Sequence, residues 1–119
     1  MGQNYQLTMV AQGSHLQVAI DGQQIFSVTD TAHASGTIAL YSSYNAGSVF
    51  DNVLVEDLKN GGILLWDNFS DGNAIGWTMI DDQGTEDGPS NWLVSNGSLE
   101  QRSNIGATYD RRLGTFALY

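Results

Sequence analysis

The chain has no cysteine, a single proline and only four basic residues among its 119. Without cysteine there is no disulfide and no thiolate metal site; secretion stays open, because a sizeable β-sandwich does not need such staples. The bases Lys59, Arg102, Arg111 and Arg112 are too few and too dispersed to form a nucleic-acid footprint. Set against thirteen acidic residues they give a net charge of −9, which opposes phosphate backbones and anionic membrane surfaces. No apolar run approaches the ~18 residues of a membrane span, and none has the form of a secretory leader. The expectation is therefore no nucleic-acid partner and no membrane. Met1-Gly2 stands directly before strand-like sequence, and any leader is taken to have belonged to a precursor. Helical periodicity with caps is also missing.

Alternation at period two takes its place. Hydrophobic residues make up 41% of the chain and Gly numbers 14, a balance suited to a turn-rich β protein with a real core. Strands are expected over Tyr5–Ala11, Leu16–Ile20, Gln24–Val28, Gly36–Tyr41 and Phe50–Glu56. Further strands are expected over Ile63–Phe69, Gly76–Ile80, Ser90–Ser95, Ser98–Arg102 and Gly114–Tyr119. Asp21-Gly22 and Asn96-Gly97 are hairpin turn signals, and a turn is expected over Lys59–Gly62. Turn signals recur every ~8–12 residues, the spacing of a sandwich or barrel. There is no linker or low-complexity tract, so residues 1–119 read as one domain.

Two ordered sets of residues carry a resemblance. The first runs Tyr5-x-Leu7, Gly13-Ser14-x-Leu16-x-Val18-x-Ile20-Asp21-Gly22, Gly36-Thr37-Ile38-Ala39-Leu40-Tyr41 and Phe50-Asp51-Asn52-Val53-x-Val55. The second runs Asp67-Asn68-Phe69-x-Asp71-Gly72, Gly76-Trp77, Pro89-Ser90-x-Trp92, Gly97-x-Leu99-x-Gln101-x-Ser103-Asn104 and Gly114-Thr115-Phe116-Ala117-Leu118-Tyr119. Residues 1–58 resemble the C-terminal half, and residues 63–119 the N-terminal half, of a bacterial concanavalin A-like jelly-roll module of the laminin-G type. In similar modules the second set comes first, and a further run of strands separates the two. The resemblance thus implies an all-β, antiparallel jelly-roll-like sandwich that is permuted, repeat-spanning or half of a module. It implies an extracellular setting, secreted or at the cell surface. The Phe-Ala-Leu-Tyr run at Tyr119 would form an unpaired apolar edge, so a homodimer or strand-exchanged assembly is expected to cover it.

The resemblance also implies a structural calcium ion where first and last strands meet. Asp51 and Asp67 match those positions, with Asn68, Asp71 and Gly72 as contributors. Calcium takes ~6–8 hard oxygen ligands, which such residues supply. The other reading of Asp51-Asn52 and Asp67-Asn68 is plain strand termination through Asx-turns. The cluster Asp81-Asp82-Gln83-Gly84-Thr85-Glu86-Asp87 fails the spacing of an EF-hand and reads as a solvated loop, with a loosely bound cation as the alternative.

Trp66, Trp77, Trp92, Tyr41, Tyr44 and Tyr109 are the aromatics available for stacking on a sugar ring; Tyr44, in the loop Ser42–Gly47, reads as the best exposed, with Asn45 as a polar partner for a hydroxyl. Trp77 and Trp92 read as core or half-buried. Catalysis has little support. Glu56, Glu86 and Glu100 are scattered rather than paired as a glycosidase requires, and His15 and His33 have no nucleophile or ligand partner beside them. Gly61-Gly62 lacks the ending of a phosphate loop. The sequons Asn68-Phe69-Ser70 and Asn96-Gly97-Ser98 are read as coincidence. The expected function is a non-catalytic carbohydrate- or matrix-binding module. The alternative is a structural or adhesion repeat of a large secreted protein that self-associates, and a glycan hydrolase is disfavoured.

Overall fold

A computed structural model describes residues 3–33 and 35–119. The expectation for Met1-Gly2 lies outside these residues, as does Ala34 of the loop after Val28. The described chain is all-β, and every ladder in it is antiparallel. The strands are β1 (Leu7–Gln12), β2 (His15–Ile20), β3 (Gln23–Thr29), β4 (Ala39–Ser42), β5 (Ser48–Phe50), β6 (Val53–Glu56), β7 (Ile63–Asp67), β8 (Thr78–Asp81), β9 (Trp92–Ser95), β10 (Ser98–Gln101) and β11 (Thr115–Leu118). They fall into two compact units, residues 1–36 and residues 37–119.

The first unit is a three-stranded meander in the order β1-β2-β3. Its β2–β3 turn is Asp21-Gly22 with φ of 51° and 82°, the left-handed pair that a two-residue hairpin demands. Asp21 also ties the turn to β1, its carboxylate accepting the Gln6 N–H at 2.7 Å. The register places Leu7 opposite Ile20, Met9 opposite Val18, Ala11 opposite Leu16, Val18 opposite Phe26 and Leu16 opposite Val28. One face is therefore apolar throughout these rows, because residues paired across strands share a face. The other carries Thr8, Gln12, His15, Gln17 and Ser27, where the His15 ring meets Ser27 Oγ at 2.9 Å.

The second unit is β-sandwich-like. Sheets β5-β10-β9 and β4-β11-β8 and the hairpin β6-β7 contribute to one core around Leu65, Phe69, Trp77, Leu99 and Ala117. Phe69 and Leu99 are wholly buried. The junction at 58–63 lies inside this unit. Strands from before it pair with strands from after it: β4 with β11, β5 with β10 and β6 with β7. Among the described residues every buried side-chain nitrogen and oxygen has a hydrogen-bond partner. Gln101, with no exposed surface, accepts the N–H groups of Asn91 and Ser103 and donates to the Ser103 carbonyl at 2.7 Å. The Trp92 indole donates to Thr115 Oγ1 at 2.8 Å, and that hydroxyl donates to Asp81 at 2.7 Å.

Several expectations need correction. The expected strand Phe50–Glu56 is two strands, because Asn52 takes φ of 53° and breaks the ladder; asparagine tolerates that left-handed conformation better than most side chains. The run at Tyr119 is no unpaired edge. Strand β11 is central, flanked by β4 and β8, and the Tyr119 N–H donates to the Ile38 carbonyl. The edge invoked for strand exchange therefore does not exist at this end of the chain. Nor is the acidic loop after β8 merely solvated: Asp82 accepts the Gly114 N–H at 3.0 Å, and Glu86 pairs with Gly106 in an isolated bridge.

Candidate functional site

The loop joining β4 to β5 is folded on itself. The Asn45 carbonyl accepts the Ser48 N–H and its hydroxyl at 3.1 and 2.7 Å, which turns the chain sharply. Tyr44 sits in that turn with φ of 47°. Its N–H donates to the Ile105 carbonyl at 2.8 Å, and Gly47 N–H donates to the Gln101 carbonyl, so the loop is pinned at both ends to the segment after β10. The ring of Tyr44 lies against Gly106. A Cβ there would come within 2.6 Å of Tyr44 Cδ2, so only glycine leaves room for the ring.

The Tyr44 hydroxyl donates to Glu86 Oε2 at 3.0 Å. The same carboxylate accepts the Thr108 N–H at 3.3 Å and the Thr108 hydroxyl at 3.1 Å. These donors, Tyr44 foremost, hold the Glu86 carboxyl below its ordinary range. Tyr44 moves the other way. Loss of hydration and then the hydrogen bond to Glu86 raise its hydroxyl above the usual tyrosine value, so it stays a donor at neutral pH.

Beside Tyr44 is a groove of about 600 Å³ lined by Tyr41, Ser43, Tyr44, Ala107, Thr108 and Arg111. Tyr41 comes from β4, its ring packed on Phe116 of β11 at 5.0 Å and its hydroxyl donating to the Arg111 carbonyl at 3.2 Å. Ser43 donates to the Leu113 carbonyl at 2.8 Å. The Arg111 segment is shaped by Asp110, whose Oδ1 accepts the Arg112 N–H and Nε while Oδ2 accepts Nη2 at 2.9 Å. That fork holds the Asp110 carboxyl at about 2.

The expected site residues divide. Tyr44 does line the groove, but it is half-buried and clamped to Glu86 rather than freely exposed. Asn45 is exposed and is not among the lining residues; its carbonyl is spent on the turn. Tyr41, one of the aromatics available for stacking, lines the groove as well, whereas Thr108 and Arg111 escaped the sequence reading. Tyr41 lies up to 70 residues from them and no spacing joins the three; the basic character of Arg111 was its only visible signal.

The acidic residues expected at the β6–β7 end turn to separate partners. Asp67 pairs in register with Val53, not with Asp51. Its Oδ1 accepts the Phe69 N–H and its Oδ2 the Trp77 indole N–H, both at 2.8 Å. Asp51 accepts the N–H of Asn52 at 2.7 Å and faces Ser98 of β10. Asn68 caps Ser70, Asp71 caps Asn73, and Gly72 turns the chain with φ of 80°. Among the described residues no three Asp, Glu or His side chains gather to hold a metal. In this arrangement both carboxylate oxygens of Asp67 accept hydrogen bonds from nearby N–H groups, as in an Asx-turn.

No family model, curated protein or solved structure matches the chain.

Proposed function

We propose that this chain is a non-catalytic carbohydrate-binding module, a concanavalin A-like, laminin-G-like jelly roll acting outside the cell on a glycan or matrix polymer. The observation that carries the reading is the groove at Tyr41 and Tyr44. Two tyrosines line it together with the polar residues Ser43, Thr108 and Arg111. Sugar recognition needs this combination: a flat apolar surface for the C–H face of a pyranose, and fixed polar groups for its hydroxyls. The rigid setting of Tyr44 supports it further, because a ring already held in place loses little entropy on binding. Among the described residues no carboxylate is in the groove's lining, and the single one beside it, Glu86, accepts from Tyr44 and Thr108, whereas glycoside hydrolysis requires two at controlled separation.

A glycan array followed by titration calorimetry tests the reading. Tyr44→Ala is expected to abolish binding, and Tyr44→Phe to retain most of it, with the folded signal intact in both. Binding that survives Tyr44→Ala unchanged would place the ligand elsewhere.

A second reading, a self-associating structural or adhesion repeat, rests on the first unit. Leu7, Met9, Phe26 and Val28 on its apolar face are exposed, and the rows named above carry no charge. Two copies packed face to face would need to remove about 1,000 Å² or more from water to form a specific interface. Light scattering across a concentration series decides it. A dimer converted to monomer by Met9→Lys supports the reading, and a monomer at every concentration removes it.

A further inference from the structure

Of the four basic side chains, only Arg111 lines the groove. The charge of its neighbour Arg112 is already spent in the fork with Asp110, and Arg102 pairs with Glu100 at 2.7 Å. Arg111 makes no ion pair among the described residues, while its carbonyl is fixed by the Tyr41 hydroxyl. Arg111 is exposed and lines the groove together with two tyrosines, on a backbone held at that point. Glu86, which accepts from the Tyr44 hydroxyl, is also held by the N–H and hydroxyl of Thr108.

We infer that the groove selects sugars bearing a carboxylate, that is, uronic-acid oligosaccharides, with Arg111 as the specificity-determining residue; this rests on the carbohydrate-binding reading above. The guanidinium presents parallel N–H donors in a planar fork that matches a carboxylate in two hydrogen bonds, a geometry that a sugar hydroxyl does not fill. The net charge of −9 does not prevent this. At physiological ionic strength, exposed charges beyond about 8 Å are largely screened, so the local contact decides. Tyr41 and Tyr44 supply the stacking that any pyranose would use, and Arg111 adds the discrimination.

The test pairs each member of a panel of oligouronates with its carboxyl-reduced neutral counterpart, by calorimetry in excess EDTA so that no divalent cation bridges the carboxylate. The uronate is expected to bind about ten-fold tighter than its reduced form, the value of one charged hydrogen-bonded contact. Arg111→Gln should remove that preference, so that the uronate binds no tighter than its carboxyl-reduced form. Arg111→Lys, which keeps the charge but not the fork, should recover only part of it. Arg102→Gln, away from the groove, should leave it intact. Equal affinity for acidic and neutral forms, or a preference that survives Arg111→Gln, overturns the inference and leaves the carbohydrate reading standing. Tighter binding of sulfated than of carboxylated sugars overturns the carboxylate assignment, and no binding to any glycan overturns both readings.

Discussion

Replacing Asp67 by asparagine would separate two roles for this side chain, a latch on Trp77 and a ligand for calcium. In the structure one carboxylate oxygen receives the Phe69 N–H and the other receives the Trp77 indole N–H, each at 2.8 Å. Phe69 has no exposed surface and takes φ of 53°, so the first bond holds a strained turn over the core. Trp77 is 8% exposed, and its indole N–H has no other partner. Asparagine keeps an oxygen for Phe69 but turns an NH₂ group towards the indole, donor against donor. Losing one charge-assisted bond and stranding a buried N–H costs about 2 kcal/mol. Alanine removes both bonds and costs about 3 to 4 kcal/mol, less than additive because the two bonds share one side chain. For a unit of about 80 residues, 2 kcal/mol lowers Tm by roughly 10 °C. The assay is urea and thermal unfolding followed by tryptophan fluorescence, run in excess EDTA and again in excess calcium. The latch predicts the same loss in both, and a double-mutant cycle with Trp77→Phe should show coupling of about 1 kcal/mol or more. A loss confined to calcium, with a wild-type Tm that rises on adding the ion and falls in EDTA, would refute the latch and restore the metal.

Three other outcomes follow from the same geometry. Gly106→Ala pushes a methyl into the Tyr44 ring, so glycan affinity should fall at least ten-fold while the circular dichroism spectrum is unchanged; unaltered calorimetric affinity would show that Tyr44 is not held by this contact. Thr115→Val keeps shape but strands the Trp92 indole and takes a donor from Asp81, at a cost of about 2 kcal/mol in urea unfolding. The carboxyls of Asp81, Glu86 and Asp110 are all held below their ordinary values. Burial alone would raise Asp81, but bonds from Ser90 and Thr115 outweigh it; Glu86 is lowered by Tyr44 and Thr108, and Asp110 by Arg112. A depressed folded pKa contributes stability that is complete above the unfolded value and lost as pH falls through the folded one. Stability should therefore decline from about pH 4.5 towards about pH 2, and Glu86→Gln should flatten part of that decline.

Turn chemistry was the most legible layer of the sequence. Asp21-Gly22 and Asn96-Gly97 both form the hairpins they announce, with positive φ at all four residues, because the preference is local and needs no tertiary partner. The hairpin across 58–63 was also readable, since an Asx bond from Asp57 and a Gly62 carbonyl close it within a few residues. The break at Asn52 was legible only as the alternative reading of Asp51-Asn52 as a strand end, because asparagine permits a left-handed turn without requiring one. The position of β11 was hidden for a different reason. An apolar run of four residues reads alike at an edge and at a centre, and only its pairing with β4 and β8 decides.

The site shows the same division. Aromatic content, scarce bases and unpaired glutamates were enough to direct attention to binding rather than catalysis, since composition limits which chemistries are available. What Tyr44 does was decided by residues remote in the chain: Glu86 takes its hydroxyl, Gly106 makes room for its ring, and Tyr41, Thr108 and Arg111 complete the groove. Asp67 is the converse case. Its place at the end of β7 was evident from the sequence, yet its partner was not, because Trp77 reaches it across ten residues of loop. Local preference sets where the chain turns and which residues alternate; which oxygen meets which N–H depends on distances that exist only once the sheets have packed.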